Sequence, residues 1–389
     1  MSSLDGGIRG KDYLVVKGGA VTLSSGGDGL KSDNVDDVTM GYVSVETGVV
    51  NVTCSGDAFQ AATDVIIADG EISLTSGGGS TSFLGEGVSA KGIKASVSVI
   101  IDAGTFMIDS ADDAVHSNEN ITINGGSFTV LTGDDGFHAD TYLIINGGNI
   151  NILDCFEGLE SSVITINNGH IQLESSDDGI NIAGGNDDGP ADPFAPPDEG
   201  QWLHINGGYI VVSSDGDGIE SNGFMDMSGG TVIVNGPEES MNAAVDYGFG
   251  DFNITGGILV AVGSSGMAQA PGSSSTQCSV LVNFNTTGGF WPQPITLPAG
   301  TLVRIQDSTG ADIVTFESTK QYQSIAFSSS ALVMGSTYDI YYGGSSTGTV
   351  TDGLYSGGTY TPGTYYDSFT ISEIATTIGA SGGFWGGGP

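Results

Sequence analysis

Two adjacent carboxylates followed closely by a histidine recur along this chain, and these residue types can bind cations or move protons. The string GDDGFHAD occupies residues 133–140, and ADDAVHSN occupies 111–118. The related strings SDDGINIA and DGDGIESN begin at Ser176 and Asp215. A single copy could be a turn, a metal-binding loop or part of an acid–base pair. The recurrence itself indicates that the chain is built from repeats that place successive copies side by side.

The elements that position these strings are predicted to be short strands. An apolar-x-apolar pair followed by glycines, clearest as INGG, returns about every 22 residues, with a few longer intervals. Each unit holds three short alternating runs, and period-two alternation is typical of strands with one buried face. Stacked units bury their inner side chains on one another. The sequence therefore predicts an all-β protein, a parallel β-helix of about 10 coils of ~22 residues with a small C-terminal antiparallel β module.

The intervals between repeats predict the domain organisation. Residues 1–270 are expected to form the β-helix, with loops leaving it at 75–92 and 185–201. Residues 271–375 should form the antiparallel module, which would cap the unpaired strand edges at the end of the coil. Residues 376–389 are a glycine-rich tail. Calcium-binding β-rolls, propellers and leucine-rich repeats need periods or leucine positions that the chain lacks.

The charge of the chain excludes some partners. It has 46 Asp and Glu but only 8 Lys and Arg among 389 residues, a formal net charge of −38. Nucleic acid and anionic lipid attract cationic proteins, so we expect no nucleic-acid partner. The chain contains no run of about 18 apolar residues, so we expect no insertion into a membrane. The first residues, MSSLDGGIRGKDYL, lack the apolar segment of a signal peptide. The three cysteines have the spacing of neither a disulfide framework nor a zinc motif.

Aligning the repeats predicts a line of acidic side chains with one member per coil, the acidic row. Adjacent coils lie about 4.8 Å apart, a separation at which like charges repel by roughly 1 kcal/mol in water and more when desolvated. Ca²⁺, which accepts six to eight oxygen ligands in irregular geometry, would offset this repulsion; turn formation by Asp and Gly is the alternative explanation. The predicted members are Asp28, Asp57, Glu86, Asp113, Asp135, Glu157, Asp178, Asp217 and Glu239.

A second line of side chains, the outward row, has one member in each repeat. This member lies between two residues that are predicted to face the core. Such a polar face suits a chain-like ligand, or it is simply solvated. His116 and His138 could be general bases, metal ligands or an exposed pair making surface hydrogen bonds. Trp202 should face outward, where it could stack on a sugar ring or anchor the 185–201 loop. The predicted outward row is Lys31, Gln60, His116, His138, Glu160, Asn181, Glu220 and Asn242. The predicted carbohydrate-binding residues are His116, His138, Asn181 and Trp202.

The ordered motifs IRGKDYL, GGDGLKSDN, SAKGIKAS, DDAVHSN, GDDGFHAD, FEGLES and DDGINIAGG resemble a bacterial carbohydrate-binding domain family that includes a clostridial cellulose- and pectin-binding protein. The later strings LVRIQDSTGADIVTF and YDIYYGG resemble the end of the same family. The resemblance implies a right-handed parallel β-helix like that of polysaccharide lyases, bound Ca²⁺, and an extracellular or cell-surface location. It also implies binding to cellulose or polygalacturonate without catalysis. Matching positions that would take a calcium role are Asp112, Asp113, Asp134, Asp135, Glu157, Glu160, Asp177, Asp178, Asp217 and Glu220.

The sequence is compatible with three functions. The one that we expect is a calcium-stabilised polysaccharide-binding protein. The second is a polysaccharide lyase or glycoside hydrolase on the same scaffold. A lyase needs a base near the sugar C5, and only Lys91, Lys94 or a histidine is suitably placed for that role. A hydrolase needs two carboxylates about 5–10 Å apart, which Asp135 and Glu157 could provide. The third is a structural or adhesive surface protein that self-assembles through the ends of the rod.

Overall fold

The chain folds into strands connected by turns and loops. The structure is a computed structural model that describes residues 1–183, 198–286 and 292–380. Within these ranges it contains 37 strands and no helix, and hence no helix long and apolar enough to cross a membrane. The prediction of an all-β protein with largely parallel sheets is confirmed.

The first large sheet has 14 strands, most of which bury every second side chain. Neighbouring strands are mostly parallel and one repeat apart, so that Ile72 lies beside Phe106 and Phe106 beside Phe128. In spatial order the strands are Ser2–Ser3 (β1), Ala20–Ser25 (β4), Val49–Cys54 (β7), Glu71–Ser76 (β10), Thr105–Ser110 (β13), Ser127–Thr132 (β16), Asn149–Asp154 (β18), His170–Ser175 (β20), Tyr209–Ser214 (β23), Thr231–Asn235 (β26), Ile258–Gly263 (β28), Ser324–Ser328 (β32), Ser279–Asn283 (β29) and Ala375–Ile378 (β37).

The second large sheet has 17 parallel strands arranged in two columns. The first column holds the three-residue strands Ile8–Gly10 (β2), Leu30–Ser32 (β5), Phe59–Ala61 (β8), Ile93–Ala95 (β11), Val115–Ser117 (β14), Ile180–Ile182 (β21) and Ile219–Ser221 (β24). The second column holds Tyr13–Val16 (β3), Tyr42–Val45 (β6), Asp64–Ile67 (β9), Ser98–Ile101 (β12), Asn120–Ile123 (β15), Trp202–Ile205 (β22), Phe224–Met227 (β25) and Asp251–Ile254 (β27). Two longer strands, Phe137–Ile145 (β17) and Leu159–Ile166 (β19), run through both columns and join them.

The third sheet is antiparallel and lies in the C-terminal part of the chain. Its strands, in spatial order, are Thr349–Thr351 (β34), Leu354–Ser356 (β35), Asp312–Glu317 (β31), Leu302–Asp307 (β30), Thr337–Ser346 (β33) and Tyr360–Thr370 (β36). Not every C-terminal strand belongs to it. Strand β32 pairs antiparallel with both β28 and β29 in the first sheet, and β37 pairs with β29, so a strand crosses residue 376, where we expected the tail to begin.

The core lies between the first two sheets and consists of inward side chains stacked on equivalent side chains of the next repeat. Val99, Ile121 and Leu143 are fully buried and adjacent in register. The rings of Phe106 and Phe128 stack with centroids 4.4 Å apart. This stacking explains the alternation in the sequence, because each apolar residue at an inward position is covered by the repeats on either side.

A glycine or alanine follows the acidic-row positions from Asp28 to Asp217, where the backbone of the next repeat passes very close. A Cβ atom on Gly136 would lie 2.4 Å from the carbonyl oxygen of Gly158 and 2.6 Å from a side-chain carbon of Ile152. In the INGG turns the need is conformational, since Gly126 has φ of +105°. The recurrent glycines thus set the close approach of the repeats.

The expected loops are partly described. Strand β10 ends at Ser76 and β11 begins at Ile93, so residues 77–92 form the first excursion, slightly shorter than the predicted 75–92. Most of the second predicted loop, 185–201, lies outside the described residues; of this stretch the structure describes 198–201.

Candidate functional site

The aspartates of the acidic row each accept a hydrogen bond from a backbone amide of the next repeat. The backbone amide of Glu157 donates to Oδ1 of Asp135 over 3.2 Å, and the amide of Asp217 donates to Oδ1 of Asp178 over 2.6 Å. The amide of Asp57 donates to Asp28 in the same way. Every such carboxylate therefore holds the backbone of the next repeat, which is a structural reason for the recurrence of the acidic strings.

Two predicted members of the acidic row are wrong. The amide of Ala58 donates to the carbonyl of Lys91, which places Lys91 at the position that we assigned to Glu86. Glu86 is an exposed residue of the 77–92 loop. At the other end the amide of Gly218 donates to the carbonyl of Ala243, so Ala243 stands where Glu239 was expected. Both errors follow loops of irregular length, where sequence alignment of the repeats loses its register.

Lys91 changes the charge balance of the row. Its ammonium group lies 2.5 Å from Oδ1 of Asp112 and also contacts Asp113, which is almost fully buried. Burial acts to raise the pKa of Asp113, but the hydrogen bond from His116 and the charge of Lys91 outweigh it and lower the pKa. At the equivalent Asp135 burial dominates and the pKa is raised, despite a hydrogen bond from His138. A neighbouring lysine was not expected in the row.

The outward row follows the first column of the second sheet, with two corrections. Lys94 lies between Gln60 and His116, and Asp246, not Asn242, pairs with Glu220. Each row position from Lys31 to Glu220 is flanked by buried residues, as the alternation requires. The row observed in register is Lys31, Gln60, Lys94, His116, His138, Glu160, Asn181, Glu220 and Asp246.

His116 and His138 are not the exposed pair that we considered. Nδ1 of His116 lies 2.7 Å from Oδ2 of Asp113. Nδ1 of His138 lies 3.0 Å from Oδ2 of Asp135 and 2.9 Å from Oε2 of Glu160, and its side chain is buried. Burial acts to lower the pKa of His138, yet the neighbouring carboxylates of Asp135 and Glu160 raise the pKa to about 11. His138 is therefore protonated at neutral pH and unsuited to act as a general base.

Four groups of side chains bring potential metal ligands within 4.8 Å of one another, counted over the described residues. Two consist of carboxylates alone, namely Asp112, Asp113 and Asp134, and Asp178, Asp217 and Glu220. The other two contain histidine, namely Asp113, His116 and His138, and Asp135, His138 and Glu160. Of the predicted calcium positions, only Glu157 and Asp177 belong to none of these groups.

We call the group of Asp178, Asp217 and Glu220 the C-terminal triad. It lacks a neighbouring cation, whereas the group of Asp112, Asp113 and Asp134 has Lys91. No ion pair joins it to a Lys, Arg or His in the described part of the chain. Burial, and then the charge of Asp178, raise the pKa of Asp217 to about 8. Burial and the interaction with Asp178 raise the pKa of Glu220 to about 10. These carboxylates are poorly compensated, and a hard divalent cation would relieve their repulsion.

Asn181 lies next to Glu220 in the outward row and is buried. Its Nδ2 donates to Oε2 of Glu157 over 2.9 Å, whereas its buried Oδ1 has no hydrogen-bond partner. A side-chain amide oxygen is a suitable calcium ligand. The residues at the C-terminal triad thus fit Ca²⁺ better than those around Lys91 do.

Trp202 faces outward, as expected, and belongs to a line of outward rings on the second column. Its ring stacks on Phe224 with centroids 4.9 Å apart and on His204 at 5.3 Å. Its Nε1 also donates to the carbonyl of Glu199 over 3.1 Å, so it holds the end of the preceding loop as well. Tyr142 occupies the equivalent position two repeats earlier and is half exposed.

Sequence reasoning missed most of these rings. Tyr13 and Tyr42 stack on each other at the same strand position, with centroids 5.5 Å apart. We define the aromatic row as Tyr13, Tyr42, Tyr142, Trp202 and Phe224. The signal was an aromatic residue immediately before the inward apolar pair of a repeat. Phe156, which lies outside this row, is 46% exposed.

A line of asparagines follows the INGG turns, the asparagine row. Nδ2 of Asn146 donates to Oδ1 of Asn124, Asn167 to Asn146, and Asn206 to Asn167, each over 2.8 Å. At its start Asn124 donates to Asp102, also over 2.8 Å. These amides connect successive repeats on the surface.

Comparison with known proteins gave one match. A family model described as "carbohydrate-binding domain-containing protein" matches residues 1–136, about the first third of the chain. No curated protein and no solved structure matches significantly. The matched segment includes Lys91, Asp113 and Asp135, and the two tyrosines at the start of the aromatic row.

Proposed function

We propose that this chain is a non-catalytic polysaccharide-binding protein of the extracellular space or cell surface. The three strand columns would be the faces of a right-handed parallel β-helix of about 10 coils. The match of residues 1–136 to a carbohydrate-binding family supports binding of a polysaccharide. The carrying observation is the aromatic row, because five rings that are at least partly exposed lie at one strand position along a single direction.

The aromatic row suits an extended glycan. Tyr142 and Trp202 are separated by two strand spacings, about 9.6 Å, since adjacent strands lie about 4.8 Å apart. Tyr and Trp combine an apolar ring with a polar group. The ring of Trp202 lies against Phe224 and His204, so the half-exposed ring of Tyr142 offers the more accessible face to a sugar. Cellulose presents flat sugar faces along an extended chain and is the glycan that this surface fits best. Polygalacturonate is a polyanion, and Ca²⁺ would have to bridge it to so acidic a protein.

The environment of the candidate bases supports the non-catalytic assignment. The pKa of Lys91 is raised because Asp113 and Asp112 outweigh the effect of burial, so its ammonium stays protonated. Nζ of Lys94 donates to Oγ of Ser89 over 3.0 Å. His138 is held protonated between Asp135 and Glu160. A lyase would need one of these groups as a free base near neutral pH.

Calcium, in this proposal, binds at the C-terminal triad with Asn181 as a further ligand. The carboxylates of Asp178, Asp217 and Glu220 meet there without a neighbouring cation. The ion would join successive repeats and stabilise the rod. It would have a structural role, because the aromatic row lies on the other strand column.

A binding assay with matched variants tests the glycan proposal. Wild-type protein is mixed with insoluble cellulose, chitin or calcium-gelled polygalacturonate, with Ca²⁺ or a chelator, and the bound fraction is measured. We expect binding to cellulose that falls at least tenfold in Trp202→Ala and in Tyr142→Ala. Tyr365→Ala, which removes a half-exposed ring from the third sheet, is the control and should bind like wild type. Equal binding by all three variants would overturn the placement on the aromatic row. No binding to any of the three glycans would overturn the polysaccharide proposal itself.

A further inference from the structure

A buried histidine between two buried carboxylates lies in the middle of the outward row. His138 and Glu160 are neighbours in register, and Asp135 precedes His138 by three residues. All three side chains are buried. Nδ1 of His138 lies 3.0 Å from Oδ2 of Asp135 and 2.9 Å from Oε2 of Glu160, so one nitrogen faces two carboxylate oxygens.

The protein's own hydrogen bonds leave this cluster incomplete. Nδ1 carries at most one hydrogen and can donate it to only one of the two carboxylates. Oε2 of Glu160 accordingly has no hydrogen-bond partner, although it is buried and points at His138. Nε2 of His138 is also buried and unpartnered; the nearest acidic oxygen, Oδ1 of Asp140, is 3.7 Å away. Buried polar atoms without partners are costly, and an ion bound between Nδ1 and the two carboxylates would remove that cost at Oε2 of Glu160.

We propose that Asp135, His138 and Glu160 bind a divalent first-row transition metal ion of the Zn²⁺ type. The ion takes the place of the Nδ1 proton and is held by that nitrogen and one oxygen of each carboxylate. Imidazole is a good ligand for such ions, whereas Ca²⁺ and Mg²⁺ prefer oxygen. The histidine therefore distinguishes this site from the C-terminal triad, where every ligand is an oxygen.

The geometry requires only a small adjustment. Ligand atoms at about 2.1 Å from a tetrahedral ion lie about 3.4 Å apart. The observed separations of 3.0 and 2.9 Å are short of this by roughly 0.5 Å. Small rotations of the Asp135 and Glu160 side chains open the required space. Three protein ligands leave a fourth position for water.

The neighbouring group of Asp113 and His116 is less suited to an ion. Asp113 already contacts the ammonium of Lys91, and His116 bonds to the same carboxylate oxygen of Asp113. A dication there would be repelled by Lys91. The ion is therefore assigned to the Asp135, His138 and Glu160 cluster alone.

Cobalt is a suitable probe because its visible absorption reports the ligand geometry. Chelator-treated, dialysed protein is titrated with Co²⁺ by absorbance and by calorimetry in two buffers of different ionisation enthalpy. We expect one Co²⁺ per chain, an absorption band of low-coordinate Co²⁺, and a proton released on binding. Zn²⁺ should displace the Co²⁺, and millimolar Ca²⁺ should not. Absence of Co²⁺ binding, or displacement by Ca²⁺, would overturn the proposal.

Variants assign the ligands. His138→Gln should weaken Co²⁺ binding by more than about 10-fold, since even groups behind a ligand contribute 10- to 100-fold. His204→Gln is the matched control, because it removes a second histidine paired with an aspartate, Asp226, at 2.7 Å. Asp217→Asn should also leave the Co²⁺ affinity unchanged, which separates this site from the C-terminal triad. Wild-type affinity in His138→Gln would contradict the assignment.

A measurement on the wild type covers the case in which His138→Gln fails to fold. X-ray absorption of the Zn²⁺-loaded protein should detect one imidazole nitrogen in the coordination shell. A shell of oxygen atoms alone would overturn the proposal. None of these measurements involves a glycan, so their outcome is independent of polysaccharide binding.

Discussion

Lys91 and Asp113 form an ion pair in the interior of the acidic row, where Lys91 replaces an expected carboxylate. The pair is nearly excluded from solvent: the side chains of Lys91 and Asp113 are 12% and 2% exposed. Asp112 completes the arrangement on the less buried side. In this repeat the protein supplies its own cation, and at the C-terminal triad it does not.

Replacement of Lys91 should therefore destabilise the fold strongly. In Lys91→Met the carboxylate of Asp113 stays buried without its cation, a change that typically costs about 3–5 kcal/mol. The control is Lys17→Met, because Lys17 is mostly exposed and lies 3.6 Å from Glu46; its effect should be below about 1 kcal/mol. Urea denaturation measures the free energy of unfolding of both variants and of the wild type. If Lys91→Met and Lys17→Met were equally stable, the ion pair of Lys91 with Asp113 would contribute nothing to the stability of the fold.

Calcium should stabilise the protein through the C-terminal triad. At a concentration a hundredfold above the dissociation constant, one site adds about 2.7 kcal/mol to the free energy of unfolding. Asp217→Asn should abolish the rise in melting temperature on adding Ca²⁺. Asp154→Asn, which changes an exposed carboxylate, should keep it. If neither chelator nor Ca²⁺ changed the melting temperature, the only roles of these carboxylates would be to form turns and to accept hydrogen bonds from backbone amides.

The metal-free protein should lose stability as the pH rises from 5 to 8. The pKa of Asp217 is about 8 in the folded chain against 3.8 ordinarily, and that of Glu220 is about 10 against 4.5. The folded state therefore binds these protons more tightly than the unfolded state does, and stability falls as they are lost. His138 acts in the same direction above its ordinary pKa of 6.5.

Urea denaturation at pH 5 and pH 8 in excess chelator measures this effect. The midpoint should be lower at pH 8, and Asp217→Asn should reduce the difference. Added Ca²⁺ should restore more stability at pH 8 than at pH 5, because it binds the deprotonated carboxylates. A midpoint that rises with pH in chelator would contradict the buried, uncompensated state of the triad.

The cysteines should report unfolding. Cys54, Cys155 and Cys278 are free and buried. Burial and the nearby carboxylate of Asp57 raise the pKa of Cys54 to about 12, so little reactive thiolate forms at pH 8. We expect slow reaction with a thiol reagent in the native protein and three reactive thiols in the denatured, unreduced protein. Fewer than three would mean that two cysteines had been joined, against the repeat register.

The strand pattern was predictable from sequence because the alternation of inward and outward residues is visible within each repeat. Val99, Ile121 and Leu143 are spaced by the repeat, and each is covered by the next. The acidic row was predictable only where the repeats have regular lengths. Within the 77–92 loop nothing in the sequence decides whether Glu86 or Lys91 occupies the row position; the backbone hydrogen bond from Ala58 to Lys91 decides it.

The burial of His138 and the aromatic row were harder to predict for a different reason. An outward position on a single strand is solvent-exposed, but His138 is covered by side chains of adjacent repeats, including Glu160. Similarly, Tyr142 and Trp202 are 60 residues apart in sequence, and only the stacking of repeats brings them within two strand spacings of each other. Both features depend on which residues of different repeats meet, whereas alternation can be recognised within the sequence of a single repeat.

The asparagine row has a consequence for the chemical ageing of the protein. Asn124, Asn146 and Asn206 are each followed by glycine, the sequence in which deamidation through attack by the next backbone nitrogen is easiest. In the folded chain each of these amides is fixed by hydrogen bonds to the adjacent repeats, which keeps the side-chain carbonyl away from that attack. Isoaspartate should accumulate at these turns only in molecules whose repeats have separated, so that its content records how long a sample has spent unfolded.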